Sequence, residues 1–322
     1  MIAADAGHEV LLWGRNGDVI DEINRGHMNE KFLPGVTLPD SLRATSDIDE
    51  AFSQAGLLTL AIPSQSLRSN LEQWGDRYPR DVPTVSTLKG IEVSTHLRMT
   101  EVLQQVIEID EGSIGFITGP NLAAELALRQ PAGAVAASVD RRTASLIASA
   151  FTTDYFRVYT SGDLIGCELA AALKNVIALA AGIVVGMGFG ENTQAMIITR
   201  GLNEVTRLGV ALGADPLTFA GLAGMGDLVA TCQSSLSRNR SFGEVIGKTG
   251  DLHIVRETTG KTVEGVASSS AVVEMAHMVG VEIPIIEAVA EVVSGRMSPA
   301  EAMATLSEID TGEEIDLSGP AS

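Results

Sequence analysis

Lys174 lies inside a run of apolar residues, 169–178, in which Asn175 is the only other polar residue. A lysine held away from water has a lowered pKa and can exchange a proton near neutral pH. The commoner arrangement is a lysine whose stem lies along a helix surface, but here apolar residues occupy every side of the predicted helix. Asp227 ends a Gly-Met-Gly-Asp sequence that indicates a tight turn. The pattern favours Lys174 as a general acid or base, with Asp227 as the partner that orients it.

A dense polar sequence, Ser237-Arg238-Asn239-Arg240, follows in the same half of the chain. An arginine presents two parallel N–H donors to a phosphate, and serine and asparagine add neutral donors. The pattern alone fits a phosphate site and a solvated basic loop equally well.

Turns that could bind a ligand follow several predicted strands. Arg15 follows the first strand, Lys89 the third, and Gly119-Pro120-Asn121 the fourth. Gly119 would let the backbone approach a ligand, and Asn121 could cap the next helix. An arginine at position 15 would suit the 2′-phosphate of NADP. More often, an arginine after a strand is simply exposed in a loop.

The first half of the chain alternates short apolar segments with helical patterns, which is typical of βαβ units and a mainly parallel sheet. We therefore predict an α/β, Rossmann-like, doubly wound NAD(P)-binding domain over residues 1–162. Its strands are predicted at 9–13, 57–62, 84–88, 113–118 and 133–138, and its helices at 17–25, 65–74, 94–107, 123–128 and 141–151.

The strand alternation ends near residue 163, so residues 163–322 are predicted to form an all-helical substrate and catalytic domain. Its first helices are predicted at 163–185 and 191–212. The glycine cluster between them, Gly186-Met187-Gly188-Phe189-Gly190, is interpreted as a helix–helix turn. A dinucleotide-binding turn needs a strand before it, and this cluster follows a helix-length apolar run.

Composition excludes several classes of protein. The formal net charge is −19 and the pI is about 4.6, which argues against nucleic acid or an anionic membrane as a partner. The two cysteines form no disulfide framework, and no metal-ligand spacing appears, so we expect no metal. The first residues do not resemble a signal peptide, and the apolar run 176–189 is shorter than a membrane helix needs. We expect a cytoplasmic protein without membrane insertion.

Taken in order, these residues resemble the bacterial NAD(P)-dependent glycerol-3-phosphate dehydrogenase family over essentially the whole chain. The motifs that carry the resemblance include Gly7-His8-Glu9-Val10, Leu12-Trp13-Gly14-Arg15, Lys89-Gly90-Ile91-Glu92, Gly119-Pro120, Lys174-Asn175-Val176-Ile177-Ala178, Gly226-Asp227-Leu228, Ser237-Arg238-Asn239-Arg240 and Val263-Glu264-Gly265. Each motif is weak alone, but their combination is specific.

The resemblance implies reversible reduction of dihydroxyacetone phosphate to sn-glycerol 3-phosphate for phospholipid synthesis, with NADP or NAD as cofactor and a homodimeric assembly. It implies that Lys174 is the general acid or base. The implied substrate residues are Lys89, Gly119, Asn121, Lys174, Asp227, Ser237, Arg238 and Asn239. The implied cofactor residues are Arg15, Lys89, Ala123, Arg238, Thr262 and Glu264.

Two departures from the family pattern stand out. Asn121 occupies a position where the family usually has serine or threonine. The family also opens with a strand and a Gly-rich phosphate-binding turn ahead of the residues seen here, whereas this sequence begins within the following helix. We expect a polypeptide that lacks that segment to be poorly soluble and weakly active, and a misplaced start codon would explain the difference.

Two other functions remain open at this point. A β-hydroxyacid dehydrogenase of the same two-domain build also uses a Lys-Asn pair on a helix but acts on carboxylates, and the Ser237–Arg240 sequence argues for phosphate instead. A non-catalytic remnant that acts as a scaffold or nucleotide sensor would also be consistent with the absence of the Gly-rich phosphate-binding turn.

Overall fold

A computed structural model describes residues 1–250 and 263–308 of the chain. The chain divides into two compact units. The first consists of Met1–Leu88 and Thr100–Gly162, and the second of Lys89–Met99 and Asp163–Ser322. The inclusion of Lys89–Met99 in the second unit is a feature that no pattern in the sequence indicated.

The first unit contains two β-sheets. Strand β1 (Val10–Trp13) pairs in parallel with β2 (Leu42–Thr45). The second sheet has the order β3 (Leu58–Leu60), β4 (Thr84–Ser86), β5 (Ile114–Thr118), β6 (Ala132–Ala137) and β7 (Phe156–Ser161). Its ladders are parallel except for β5 with β6, which is antiparallel. In the doubly wound order a further strand separates two such halves, and none of the described residues fills that place.

Helices connect these strands, as the α/β pattern requires. They are α1 (Ile2–Asp5), α2 (Gly17–Gly26), α3 (Ile48–Ser53), α4 (Leu67–Trp74), α5 (Met99–Ile107), α6 (Ala123–Ala127) and α7 (Arg141–Phe151). Asn16 caps α2 by accepting hydrogen bonds from the backbone N–H groups of Asp18 and Val19. The five-stranded sheet buries Val85, Ile117 and Ala134 against Ile147 of α7, and this packing forms a core of the first unit.

The second unit is helical among its described residues. Its helices are α8 (Leu164–Gly186), α9 (Glu191–Ala211), α10 (Pro216–Ala220), α11 (Asp227–Gln233), α12 (Arg238–Thr249), α13 (Glu264–Val279), α14 (Pro284–Ser294) and α15 (Pro299–Ser307), with a π-helical turn over Leu222–Gly226. Helix α8 is long and apolar enough to cross a membrane, but 89% of its most apolar window is buried inside the protein. The apolar composition of α8 is therefore explained by its packing within the second unit.

The predicted α/β domain followed by a helical domain is confirmed. Each predicted strand is present within two residues of its bounds, and Gly186–Gly190 is the predicted turn between α8 and α9. The prediction missed β2, which has only four residues, and β7, in which Phe156 is the only buried residue. The predicted helix 94–107 was too long, since residues 94–98 form a loop and α5 begins at Met99.

Candidate active site

Lys174 lies near the middle of α8 and is 7% exposed. Its Nζ donates hydrogen bonds to Oδ1 of Asp227 and to Oγ1 of Thr231, the latter at 2.6 Å. The prediction of a lysine removed from water with Asp227 as its partner is therefore confirmed by the geometry.

Asp227 is the first residue of α11, not part of the tight turn that the sequence suggested. The glycines before it form a π-helical turn, in which a Cβ at Gly224 would overlap the backbone of Phe219. This close approach explains why glycine is needed there. Asp227 is 2% exposed, and its Oδ2 accepts a hydrogen bond from Nζ of Lys89 at 2.7 Å. One carboxylate thus joins two lysines from distant parts of the sequence.

Thr231 completes this cluster, and sequence reasoning missed it. It lies one helical turn after Asp227 on α11. Its hydroxyl donates to the Asp227 carbonyl oxygen at 2.6 Å and accepts from Lys174, so it positions the ammonium from a second side. The i, i+4 spacing of Asp227 and Thr231 places both side chains on one face of a helix. This spacing could have identified Thr231 only if a helix beginning at Asp227 had been predicted.

The charges of the cluster act on one another. Burial and, to a smaller extent, the ammonium of Lys89 lower the pKa of Lys174, Asp227 opposes both, and the resulting pKa is about 8. Burial alone would raise the pKa of Asp227, yet the two lysines hold it below its usual value. The site therefore pairs a stable carboxylate with a lysine that can gain or lose a proton near neutral pH.

A chain of amides extends the site toward α12 and α13. The Asn175 side chain donates to the Lys89 carbonyl oxygen at 3.3 Å. Asn239 donates through Nδ2 to Oδ1 of Asn175 at 3.0 Å, and its Oδ1 accepts from the backbone N–H of Gly265, also at 3.0 Å. Asn175, which was not among the predicted site residues, therefore connects the Lys89 loop to the polar sequence of α12.

The Ser-Arg-Asn-Arg sequence is the start of a helix and not a loop. Ser237 is the N-cap of α12 and accepts from the Arg240 backbone N–H at 3.3 Å, while Arg238 is the first helical residue and is exposed. Free N–H groups at the start of a helix favour an anion. Glu264 is the first residue of α13. Thr262 lies outside the described residues.

The other predicted residues belong to the first unit, where they follow strand ends. Arg15 follows β1, lies with its guanidinium carbon 5.6 Å from the centre of the Trp13 ring, and donates a hydrogen bond to Oδ1 of Asn70. Gly119 follows β5 with φ +152°, and a Cβ there would lie 2.7 Å from the Gly133 carbonyl oxygen. Glycine is therefore required by the adjacent backbone of β6, a reason different from the predicted approach of a ligand.

Asn121 does not cap the next helix as predicted. The N-cap of α6 is Leu122, which provides no side-chain hydrogen bond, and exposed Ala123 is the first helical residue. Oδ1 of Asn121 is buried and has no hydrogen-bond partner in the described structure.

These features of the first unit fit a nicotinamide dinucleotide. Ligands bind α/β sheets at the carboxyl ends of parallel strands, where Arg15 supplies a cation next to an aromatic ring. The Asn121 oxygen, a predicted substrate contact, can accept a hydrogen bond from a hydroxyl or an amide of a bound ligand. No group of three or more potential metal ligands occurs among the described residues.

An α/β unit suited to a dinucleotide and a helical unit with a buried lysine of lowered pKa are together typical of a two-unit nicotinamide-dependent dehydrogenase. Family models described as the N-terminus and the C-terminus of NAD-dependent glycerol-3-phosphate dehydrogenase match residues 1–144 and 163–304, respectively. The chain belongs to this family.

Individual relatives agree with the family match. The chain is 52% identical over 289 residues to a glycerol-3-phosphate dehydrogenase [NAD(P)+] of Corynebacterium glutamicum, covering 89% of this chain and 87% of the relative. It is 49% identical over 306 residues to the Streptomyces griseus enzyme of the same name, covering 95% and 91%. A solved glycerol-3-phosphate dehydrogenase from Coxiella burnetii superposes with a TM-score of 0.88 at 29% identity, covering 96% and 94%. These findings support the principal prediction over the β-hydroxyacid dehydrogenase and the non-catalytic remnant.

Proposed function

We propose that this protein interconverts sn-glycerol 3-phosphate and dihydroxyacetone phosphate with NADP or NAD, in the cytoplasm and for glycerophospholipid synthesis. The observation that carries the proposal is the buried Lys174 ammonium held between Asp227 and Thr231 in a chain of this family.

Lys174 moves the proton in the proposed reaction. When the alcohol is oxidised, neutral Nζ of Lys174 takes the hydroxyl proton, and when the ketone is reduced, the ammonium returns a proton to the carbonyl oxygen. Asp227 and Thr231 hold Nζ in one place, which removes the conformational freedom that a long side chain otherwise has. The nicotinamide, when bound, supplies or accepts the hydride.

Lys89 adds a second ammonium to the same carboxylate. Two cations around one anion leave the cluster with excess positive charge, which favours the partial negative charge that develops on the substrate oxygen. This arrangement supports a role for Lys89 as a substrate residue.

The phosphate group is proposed to bind at the start of α12. Arg238 supplies a bidentate cation there, and Ser237 and Asn239 are its neighbours in the same turn. Since Oδ1 of Asn239 accepts from Gly265 and its Nδ2 donates to Asn175, the second N–H of the same amide is what remains for the phosphate.

The roles assigned to the cofactor residues stay predictions. Arg15 is proposed to accommodate the 2′-phosphate of NADP. Gly119 and Asn121 stay predicted substrate residues, and Ala123, Thr262 and Glu264 stay predicted cofactor residues. A homodimer is also proposed, and sedimentation equilibrium would measure it.

The test is NADPH or NADH oxidation with dihydroxyacetone phosphate, compared for the native protein, Lys174→Met and Lys248→Met. Methionine keeps the volume of Lys174 and leaves Asp227 paired with Lys89. We expect kcat to fall by about 10²–10⁴-fold for Lys174→Met, the usual range for a lost general acid. Lys248 is an exposed control on α12, paired with Glu244, and should have no effect.

Circular dichroism of both variants verifies that the fold is retained. Dihydroxyacetone without the phosphate should be a much poorer substrate for the native protein. A folded Lys174→Met variant with near-native kcat would contradict the proposal, as would equal use of the phosphate-free ketone.

A further inference from the structure

Lys89 reaches Asp227 from a loop, not from a helix or strand. The loop 89–98 is tied back on itself by a β-bridge between Ile91 and Arg98. Arg98 is thus paired across the bridge with Ile91, which lies two positions after Lys89. Ile91 is fully buried in the core of the second unit, so this end of the loop is anchored.

Two side chains on one face of α8 hold this loop. Glu168 accepts a hydrogen bond from Nη1 of Arg98 at 2.6 Å, and Asn175 donates to the Lys89 carbonyl oxygen. Residues seven positions apart are about two helical turns apart and share a face. Asn175 also adjoins Lys174, whose ammonium shares Asp227 with Lys89.

The contacts close into a ring. It runs from Lys89 through Asp227 and Lys174 to α8, then through Glu168 and Arg98 back across the β-bridge to the loop. The Arg98 side chain is 13% exposed and that of Glu168 is 4% exposed, so water screens this ion pair little.

A second side-chain contact of the loop is more exposed. Nε2 of His96 lies 2.8 Å from Oε2 of Glu274 of α13, and the Glu274 side chain is 61% exposed. Exposed pairs constrain geometry poorly. Of these two contacts, the buried pair is therefore the better able to set the position of the loop.

We propose that Arg98 and Glu168 are positioning residues, which hold the Lys89 loop on α8 so that the Lys89 ammonium stays on Asp227. Neither residue has a role in the proton transfer itself. Their effect on catalysis rests on the proposed function of Lys174, whereas their effect on the lysine cluster does not.

The proposal has a consequence that a purely structural ion pair would lack. Lys89 lowers the pKa of Lys174 and shares the carboxylate that would otherwise serve Lys174 alone. When Lys89 leaves Asp227, both effects favour the charged form of Lys174. The pKa of Lys174 should then rise.

The experiment compares the native protein with Arg98→Met/Glu168→Met, Lys89→Met and Arg98→Lys. The double variant removes both buried charges at similar volume, because a single neutral substitution would remove one charge of this ion pair and leave the other buried. The Lys174 side chain is titrated by NMR of lysine labelled with ¹³C at Cε, and Lys174→Arg assigns its resonance. This readout needs no turnover.

We expect the double variant to raise the pKa of Lys174 in the same direction as Lys89→Met. Its KM for dihydroxyacetone phosphate should rise by about 10-fold or more, the effect of one charge-assisted hydrogen bond. Arg98→Lys keeps a cation and should restore part of both properties. Arg296→Met is the matched control, since it removes an arginine from an exposed pair with Glu291 elsewhere in the same unit.

A folded double variant with an unchanged Lys174 titration would overturn the proposal, as would a change of the same size in Arg296→Met. A lower melting temperature without a shift in the titration would mean that the pair is only structural. A native protein without dehydrogenase activity would count against the proposed function alone, and the titration would still decide the role of Arg98 and Glu168.

Discussion

At the scale of single residues, the chemistry depends on how Lys174 is surrounded. Burial removes the water that would stabilise its ammonium, and Lys89 adds repulsion, while Asp227 prevents the charge from being lost altogether. The result is a pKa of about 8 in place of 10.5. An unperturbed lysine would be almost fully protonated at neutral pH and could serve only as an acid.

This pKa predicts opposite pH dependences for the two directions of the reaction. In the proposed mechanism, oxidation of glycerol 3-phosphate needs neutral Lys174, so kcat/KM should rise with pH and level off above about 8. Reduction of the ketone needs the ammonium, so kcat/KM should be highest below about 8 and fall above it. Steady-state rates in both directions across this range provide the measurement. Profiles that bend in the same direction, or only near the ordinary lysine pKa, would contradict the assignment.

At the scale of elements, α8 and α12 approach until their backbones touch. A Cβ at Gly182 would overlap the Arg240 carbonyl oxygen, and one at Gly243 would overlap the Leu179 carbonyl oxygen. Gly186 and Gly247 repeat the arrangement one turn further along each helix. This glycine contact places the first turn of α12, with Arg238, relative to the helix that carries Lys174.

Gly243→Ala should therefore destabilise the protein by about 1–3 kcal/mol, the usual cost of overpacking. The methyl group has no space, because its nearest neighbours are backbone atoms of α8 that cannot rotate away. Chemical denaturation measures the free energy of unfolding. Gly56→Ala is the control, since nothing lies within 4 Å of a Cβ there. Equal free energies of unfolding for Gly243→Ala and Gly56→Ala would contradict the prediction, because α8 and α12 would then be able to move apart at little cost.

The start of α14 depends on a carboxylate from another helix. Glu204 of α9 accepts from the backbone N–H groups of Ile285 and Ile286 at 2.8 and 3.1 Å. The N-cap residue of α14, Ile283, has no polar side chain, so Glu204 takes its place. Burial raises the pKa of Glu204 to about 7, although both backbone N–H groups oppose that rise.

A raised carboxyl pKa means that the folded state binds more protons than the unfolded state between about pH 4.5 and 7. The contribution of Glu204 to stability is therefore fully present below 4.5 and decreases as pH rises toward 7. Glu204→Gln does not ionise and should lack this decrease. Relative to the native protein, the variant should gain on the order of 3 kcal/mol between these pH values. Denaturation at several pH values measures the difference, and a pH-independent difference would contradict the prediction.

At the scale of the whole molecule, each unit has hydrophobic clusters formed from its own residues. The large cluster around α8 consists of residues of the second unit, including Ile91 from the Lys89 loop, and the cluster around Val85 and Ile147 belongs to the first. The net charge of the whole chain, −19, does not describe the charge within the site. The lysines there are held by one buried carboxylate, whatever the charge of the surface.

Much of this organisation could be predicted from local patterns. Alternating strands and helices predicted the α/β unit, because periodicity reflects which face of an element is buried. The apolar neighbours of Lys174 predicted its burial, because they surround it on the same helix. The β2 strand was missed because four residues, Leu-Arg-Ala-Thr, are too few to distinguish a strand period from chance.

The sequence by itself determined the two-unit organisation, the buried lysine and the kinds of residue available for phosphate and cofactor. The tertiary structure alone decided that Lys89, 138 positions away from Asp227 in sequence, shares its carboxylate, and that Thr231 and Asn175 position the cluster. The physical reason is that burial follows from periodic local patterns. A hydrogen bond depends on distances of a few ångströms between atoms, and these exist only after the loop and the helices have packed together.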